Sequence, residues 1–413
     1  YTSASLWVVM VPLAPLGALF FVVLATGEDC VWNKDADFPM DPPLILDDQL
    51  KLVLPVEKDS VREVRIPSGN IVILACPGTG NYLEALGEVV VQTKCAGGVQ
   101  LNVTDNESKA LLELGCAKKI RSAIKKYLGS CGAGDIGQQH IIGFQFADKF
   151  YEQVLVCFDH DKQTTLYTRH LIHGANIGAK DKDSSRPSFK TSSGFFNVSM
   201  SNVYTQNSQL ELLKTLLGSE TLANTMFDTS KYYFAKGHLS PDADFVTTVE
   251  QDATYYYINA VPQWQAFNNG NWKYLEYATR DLAEKKKRDL RVYSGGWGVL
   301  KLDDINGNPV KVFLKVTDEE QVVPAPAITW KVVHDEYSNC AVAVVGVNNP
   351  HLTSAPATLC ENICPSLPWI DFDVNDMTAG YTYCCSVSDL RAAVPHIPQI
   401  GNACLLKLED PGC

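Results

Sequence analysis

Phe234-Ala235-Lys236-Gly237-His238-Leu239-Ser240-Pro241-Asp242, then Asn259-Ala260-Val261-Pro262-Gln263, then Asn268-Asn269-Gly270-Asn271-Trp272-Lys273-Tyr274-Leu275-Glu276 form the stretch on which the fold turns. If Lys236 to His238 is extended, alternate side chains share a face, so Lys236 and His238 point together and Gly237 leaves room for a ligand backbone. Tyr255-Tyr256-Tyr257-Ile258 reads as a strand on aromatic and β-branched content, ended by Pro262. Asn271 onward reads as a helix with Trp272, Leu275, Thr279 and Leu282 on one side. Asn268 falls just before that helix, and Glu276 lies about 80° round from it at about 100° per residue, so both can look into one site. Singly, each of these residues also fits an Asn-rich turn followed by a packing helix. The whole set does not.

The spacing Lys-Gly-His, Asn-x-x-Pro-Gln and Asn-x-Gly-x-Trp-x-x-Leu-Glu resembles the DNA/RNA non-specific endonuclease family, whose site is a ββα-metal (His-Me) finger. Within it, the chain is similar to the crustacean duplex-specific nucleases of the digestive gland, over about Asp29 to Leu406. One departure is that the family's Asp-Arg-Gly-His is here Ala235-Lys236-Gly237-His238. Lysine lacks the bidentate fork of arginine. Arg186, in Ser185-Arg186-Pro187-Ser188-Phe189, matches a family arginine upstream of the histidine motif and can supply that two-donor grip. A structural arginine is the other reading.

The resemblance implies a division of labour. His238 is the general base that takes a proton from water, and Asn268 is the protein's direct ligand to Mg²⁺, with Mn²⁺ a possible substitute. Glu276 orients a water of the ion, Asn259 helps fix the base or the metal site, and Arg186 with Lys236 stabilises growing charge. Implied substrates are double-stranded DNA and DNA in DNA–RNA hybrids, cut to leave 5′-phosphates. The wider family cleaves DNA and RNA alike, and an inactive relative that only binds nucleic acid is the alternative of another class. A serine esterase is disfavoured because no Gly-x-Ser-x-Gly elbow occurs.

Working outward, Leu6 to Ala25 is almost wholly apolar, broken by Pro12 and Pro15 and followed by small residues, which predicts a secretory signal peptide over residues 1–27. A spanning signal anchor is weakened by the prolines. Thirteen cysteines in 413 residues suit an oxidising compartment, and no nearby His completes a zinc set for Cys360, Cys364, Cys384 and Cys385, so disulfides are expected. The odd total leaves one thiol over, most easily Cys413. Asn102, Asn106 and Asn197 head glycosylation sequons. The reading is a secreted protein, in a digestive lumen by resemblance, with no stable membrane association once the signal is removed.

The expected fold is α+β, with two domains after the signal. Residues 28–135 read as a small disulfide-stapled β-rich module, with strands at Val61–Ile66 and Ile71–Cys76 and a helix over Ala117–Leu128. Gly132-Ala133-Gly134-Asp135-Ile136-Gly137 reads as the linker. Residues 136–413 read as the ββα-metal nuclease domain around a mainly antiparallel sheet, with strands at Ile141–Phe146, Gln153–Phe158, Thr164–Arg169, Thr329–Val333 and Ala341–Val347 and a stapled closing segment. Asp159-His160-Asp161 reads as a hairpin turn rather than a metal site. The net charge is −12 and the pI about 5.2, whereas nucleic-acid binders gain affinity by neutralising phosphates. Any such help must be local: Asn268 to Arg291 holds seven Lys/Arg against four Asp/Glu. Lys285-Lys286-Lys287-Arg288 within it fits a phosphate patch or a solvated helix end equally.

Overall fold

The computed structural model describes residues 27–182, 186–317 and 320–409. The expected signal peptide, residues 1–27, lies outside the described residues except for Gly27, and Cys413 lies outside them as well. No helix among the described residues is long and apolar enough to cross a membrane. The chain divides into two compact units, the first made of 61–76, 82–119 and the residues up to Val53, the second of 54–60, 77–81 and everything from Ile120.

The first unit holds a five-stranded antiparallel sheet in the order Leu44–Leu46, Ile71–Ala75, Val90–Gly97, Gln100–Thr104, Glu107–Ala110, and beside it the antiparallel pair Cys30–Asn33 and Val61–Ile66. The apolar run from Ile71 takes a place between two neighbours, and Val72 and Leu74 are fully buried. Cys30–Cys95 and Cys76–Cys116 staple it.

The second unit is built on a nine-stranded sheet. Its path runs Thr382–Cys385, Cys340–Val347, Ile328–Asp335, Leu290–Trp297, Thr164–Ile172, Lys149–Asp159, Gly137–Phe146, Ala123–Cys131, all antiparallel. A short strand Cys404–Leu405 joins Cys340–Ala341 in parallel. Both faces are covered, which explains the near-continuous apolar text of the inner strands. Val333, Val342 and Val344 face one core with Trp272, Leu275 and Leu282, whereas Val332, Ala343 and Val345 face the other with Leu390 and Val394. Cys131–Cys157, Cys340–Cys404, Cys360–Cys385 and Cys364–Cys384 tie the sheet and the closing segment. Asp159 makes the expected turn, its Oδ1 accepting from the amides of Asp161 and Lys162.

Three expectations are corrected. The helix over Ala117–Leu128 is absent; Ala123–Cys131 is a strand paired with Gly137–Phe146. A Lys- and Ala-rich text favours a helix by propensity, but the neighbouring strand and the Cys131 disulfide decide otherwise. The glycine stretch is the connection of that same hairpin, inside the second unit, with Gly132 and Gly134 at φ 75° and 71°. Tyr255–Ile258 is not a strand: Tyr257–Asn259 is a single 3₁₀ turn and the strand begins at Ala260.

Candidate active site

Phe234–His238 and Ala260–Trp264 pair antiparallel, from Phe234 opposite Trp264 to His238 opposite Ala260. After Trp264 comes a helical turn, Gln265–Asn268, then the helix Asn271–Lys286. This is a two-strand, one-helix finger. Pro262 lies in the middle of its strand rather than ending it. The Pro262 carbonyl and the Trp264 amide both turn outward to the Asn348 carboxamide, at 3.0 and 2.9 Å, so the N–H that proline lacks is not one the ladder needs.

Asn348 is one of three carboxamides that stand in for a missing strand. Gln209, from the helix Gln206–Leu217, accepts from the Phe234 amide at 2.7 Å and donates to its carbonyl at 3.0 Å. Asn259, fully buried, does the same for Ser240 at 3.0 and 2.8 Å and also donates to the Thr254 carbonyl at 2.9 Å. Both atoms of the Asn259 side chain are thereby spent on backbone two residues beyond His238. Of its two expected tasks, the geometry fits holding the base.

Lys236 and His238 do share a face. The Phe189 ring meets both, 5.5 Å from the Lys236 Nζ and 4.9 Å from the His238 ring. Gly237 faces the other way, where a Cβ would lie 2.0 Å from the Gln263 Oε1, so its bareness accommodates buried Gln263 rather than a ligand. Lys236 also lies 5.6 Å from the Tyr204 ring and has no carboxylate partner among the described residues; burial lowers its pKa.

The His238 ring is wedged between Phe189 and Tyr255, with Tyr255 edge-on at 4.9 Å. Its Nε2 is buried without a hydrogen-bond partner, and since the residue is not wholly buried, Nδ1 is the ring nitrogen left to face outward. Burial pulls its pKa down to about 4; the Asp242 carboxylate opposes this and the Arg186 charge adds to it. Asp242 is itself held by the Tyr255 hydroxyl at 2.6 Å. Arg186 is exposed and close enough to act on the ring. Its segment is docked by backbone bonds of Lys190 with Tyr255 and Tyr257, at 2.8 and 3.2 Å.

Asn268 is half-buried, and its Nδ2 donates to the Gln265 Oε1 at 3.3 Å, turning Oδ1 into the atom offered to a cation. The following helix is pinned at its start. Gly270 has two carbonyl oxygens 2.5 Å from where a Cβ would stand, and Asn271 donates to the Asp373 and Gly380 carbonyls. Burial raises the Glu276 carboxyl to about 7; nearby Lys331 and Arg280 oppose this, and Asp244 and Asp242 reinforce it. The Asp242 carboxylate thus acts electrostatically on both His238 and Glu276.

Beneath Glu276 lies a buried network absent from the sequence reading. Asp244 accepts from His170 at 2.9 Å and from Arg280 at 2.8 Å. Burial alone would raise its carboxyl, but the His170 hydrogen bond and the Arg280 charge override this and keep it ionised. Lys331, 0% exposed on the helix-facing side of its strand, donates to Ser294 at 2.9 Å and lies 5.4 Å from the Trp272 ring. Asp244, two residues past Asp242, had no local signal, and Lys331 sits in text that reads only as a buried strand.

Among the described residues no three His, Cys, Asp or Glu side chains gather as a metal cage. The donor chemistry, a single carboxamide oxygen with no carboxylate cage, fits a hard, mostly hydrated cation at Asn268.

The family model for DNA/RNA non-specific endonuclease matches residues 137–390, more than half of the chain. A salivary endonuclease of Lutzomyia longipalpis is 28% identical over 330 residues, 79% of this chain and 73% of the relative. Salivary protein Tsal1 of Glossina morsitans morsitans is 27% identical over 336 residues, 81% and 82% of the two chains. A salivary endonuclease of Culex quinquefasciatus is 28% identical over 357 residues, 82% and 87%. With the finger and its histidine in the second unit, and that match spanning most of the unit, the chain belongs to the DNA/RNA non-specific endonuclease family, and so is a phosphodiester hydrolase.

Proposed function

We propose that this nuclease is a secreted, Mg²⁺-dependent enzyme that cuts within double-stranded DNA and within the DNA strand of DNA–RNA hybrids, leaving 5′-phosphates. The observation that carries the reading is the His238 ring. It is held neutral by burial, with one nitrogen buried and the other left to face outward, on the same strand face as the unpaired Lys236 cation. The proton resides on Nε2 and the Nδ1 lone pair accepts a proton from the attacking water. Lys236 and Arg186 grip the phosphoryl oxygens and stabilise charge as it grows. Asn268 holds the cation through its carboxamide oxygen, and Glu276 orients the surrounding water. A divalent cation held there, Mg²⁺ or Mn²⁺, would supply positive charge to offset that of the phosphate. Asn259 keeps the backbone beyond His238 in register. Secretion is supported by the disulfides and by the salivary naming of relatives.

Cleavage of matched single-stranded DNA, duplex DNA, duplex RNA and DNA–RNA hybrid, with Mg²⁺ and with a chelator, tests this. Duplex DNA and the hybrid are expected to be cut fastest, and the chelator to stop cleavage. Equal rates on all four favour the second reading, a sugar-non-specific nuclease, which the family description itself supports. His238→Ala is expected to abolish cleavage while leaving the thermal transition intact. Full activity in that variant removes the base from the mechanism.

A further inference from the structure

The cations expected to bring phosphate to the helix are already engaged. Lys285 pairs with Asp281 at 2.6 Å, Lys287 with Glu284 at 3.9 Å, and Lys286 and Arg288 lie 4.0 and 3.5 Å from buried Asp335. In a chain of net charge −12, binding a polyanion by counterion release needs another set of cations.

The edge strand Ala123–Cys131 and the residues just before it supply one. Between Glu113 and Asp135 the chain holds five Lys/Arg and no Asp or Glu. Arg121, Lys125 and Lys126 among them belong to the second unit, are exposed, and make no ion pair among the described residues. Lys125 and Lys126 take opposite faces of the strand by alternation, and Lys125 lies over the Phe150 ring at 5.7 Å.

The face that carries Lys126 runs alongside the segment of Arg186 and Phe189, which borders His238. At the near end, the Lys190 Nζ donates to the Ser122 Oγ at 3.3 Å and the Tyr256 hydroxyl to the Ser122 carbonyl at 2.9 Å. Lys190 is bonded through its backbone to Tyr255 and Tyr257, and the Phe189 and Tyr255 rings enclose the His238 ring. Arg121 is the neighbour of Ser122. At the far end, Lys126 stands opposite His140, whose ring packs on Phe195 at 4.7 Å. There the Lys126 Nζ lies 3.3 Å from where a Cβ on Gly194 would stand, so the same segment is met again. Ser122 and Lys126, four residues apart, are separated by about 13 Å at about 3.3 Å per residue, or roughly four phosphate steps of one strand.

We propose that Arg121 and Lys126 form a phosphate track that leads away from His238 along the edge strand and grips the nucleic-acid backbone several nucleotides from the scissile bond. This rests on the nuclease reading. The ligand is the sugar–phosphate backbone, held by charge and without regard to sequence. Each such contact contributes roughly 0.9 to the slope of log affinity against log salt, so the pair accounts for about 1.8.

The test is Arg121→Gln/Lys126→Gln beside the charge-conserving Arg121→Lys/Lys126→Arg and the equally discharged Lys285→Gln/Lys287→Gln, each checked for an unchanged thermal transition. On long DNA at about 50 mM salt the first pair is expected to raise KM about tenfold with kcat preserved, and the gap to narrow about tenfold by about 200 mM. The two other variants are expected to follow wild type. On a dinucleoside phosphate, which ends at the scissile bond, all four proteins are expected to be equal. In the His238→Ala background, fluorescence anisotropy of labelled DNA is expected to show the salt slope reduced by about 1.8. An unchanged slope, an equal loss on the dinucleotide, or an equal loss in the Lys285/Lys287 variant overturns the proposal. If the wild type cuts nothing but the slope falls as stated, the track stands and the mechanism falls; if cleavage is normal and the slope does not move, the reverse holds.

Discussion

His238 and Glu276 carry opposite consequences of burial. A buried imidazole resists charging, so His238 stays a free base until the pH falls toward about 4. The base must be unprotonated to work, so the acid limb of kcat/KM is expected near that value, not at the unperturbed 6.5 or so, with activity flat from about pH 5.5 upward on this limb. A limb at about 7 that vanishes in Glu276→Gln belongs to that carboxyl, whereas one at about 6.5 that persists in the variant's residual activity would show that the ring is better solvated than its aromatic wedge implies. Glu276 is the reverse case. Its folded pKa of about 7 lies above the usual carboxyl value, so its contribution to stability is fully present below about pH 4.5 and is lost as pH rises through 7. Glu276→Gln is therefore expected to stabilise the fold more at pH 8 than at pH 5, the difference being on the order of 2 kcal/mol and read from the melting temperatures, while losing most activity. Equal melting shifts at both pH values would refute the burial cost. Neither pKa was readable in advance, because Phe189, Tyr255, Asp242 and Lys331 come from four separate places in the chain.

For the finger as an element, periodicity was a good guide where a single element decides the outcome. The period of two put Lys236 and His238 on one face, and the period near 3.6 put Trp272, Leu275, Thr279 and Leu282 inside. It failed where a distant partner decides. Tyr255–Ile258 has better strand composition than Ala260–Trp264, but the latter lies opposite Phe234–His238 and has Asn348 to satisfy its outer edge. Gly237 was read correctly as a place needing space and wrongly as to what fills it. Gly237→Ala drives a methyl into fully buried Gln263, and is expected to cost about 1–3 kcal/mol of stability in thermal or urea denaturation. If the variant is as stable as wild type but loses activity, the space belongs to substrate after all.

At the scale of the whole molecule, disulfides were legible from cysteine usage, whereas their pairing was not, because pairing depends on which strands meet. Cys364–Cys384 and Cys360–Cys385 bind the closing segment to the edge strand Thr382–Cys385, and Cys340–Cys404 ties the end of the chain to its neighbour. That segment also supplies Asp373 and Gly380, whose carbonyls pin the start of the Glu276 helix. Reduction is therefore expected to inactivate the enzyme under conditions where a substantial part of the sheet survives, read as lost cleavage with far-ultraviolet dichroism largely kept. Full activity after complete reduction would free the site from the closing segment.

The three carboxamides on the finger have one more consequence. A two-stranded ribbon ordinarily offers open rungs to any passing extended peptide, but here Gln209, Asn348 and Asn259 already occupy rungs along its rims with side chains that cannot propagate a ladder. Docking of an extended inhibitor segment alongside the finger by strand addition is consequently shut off at those positions.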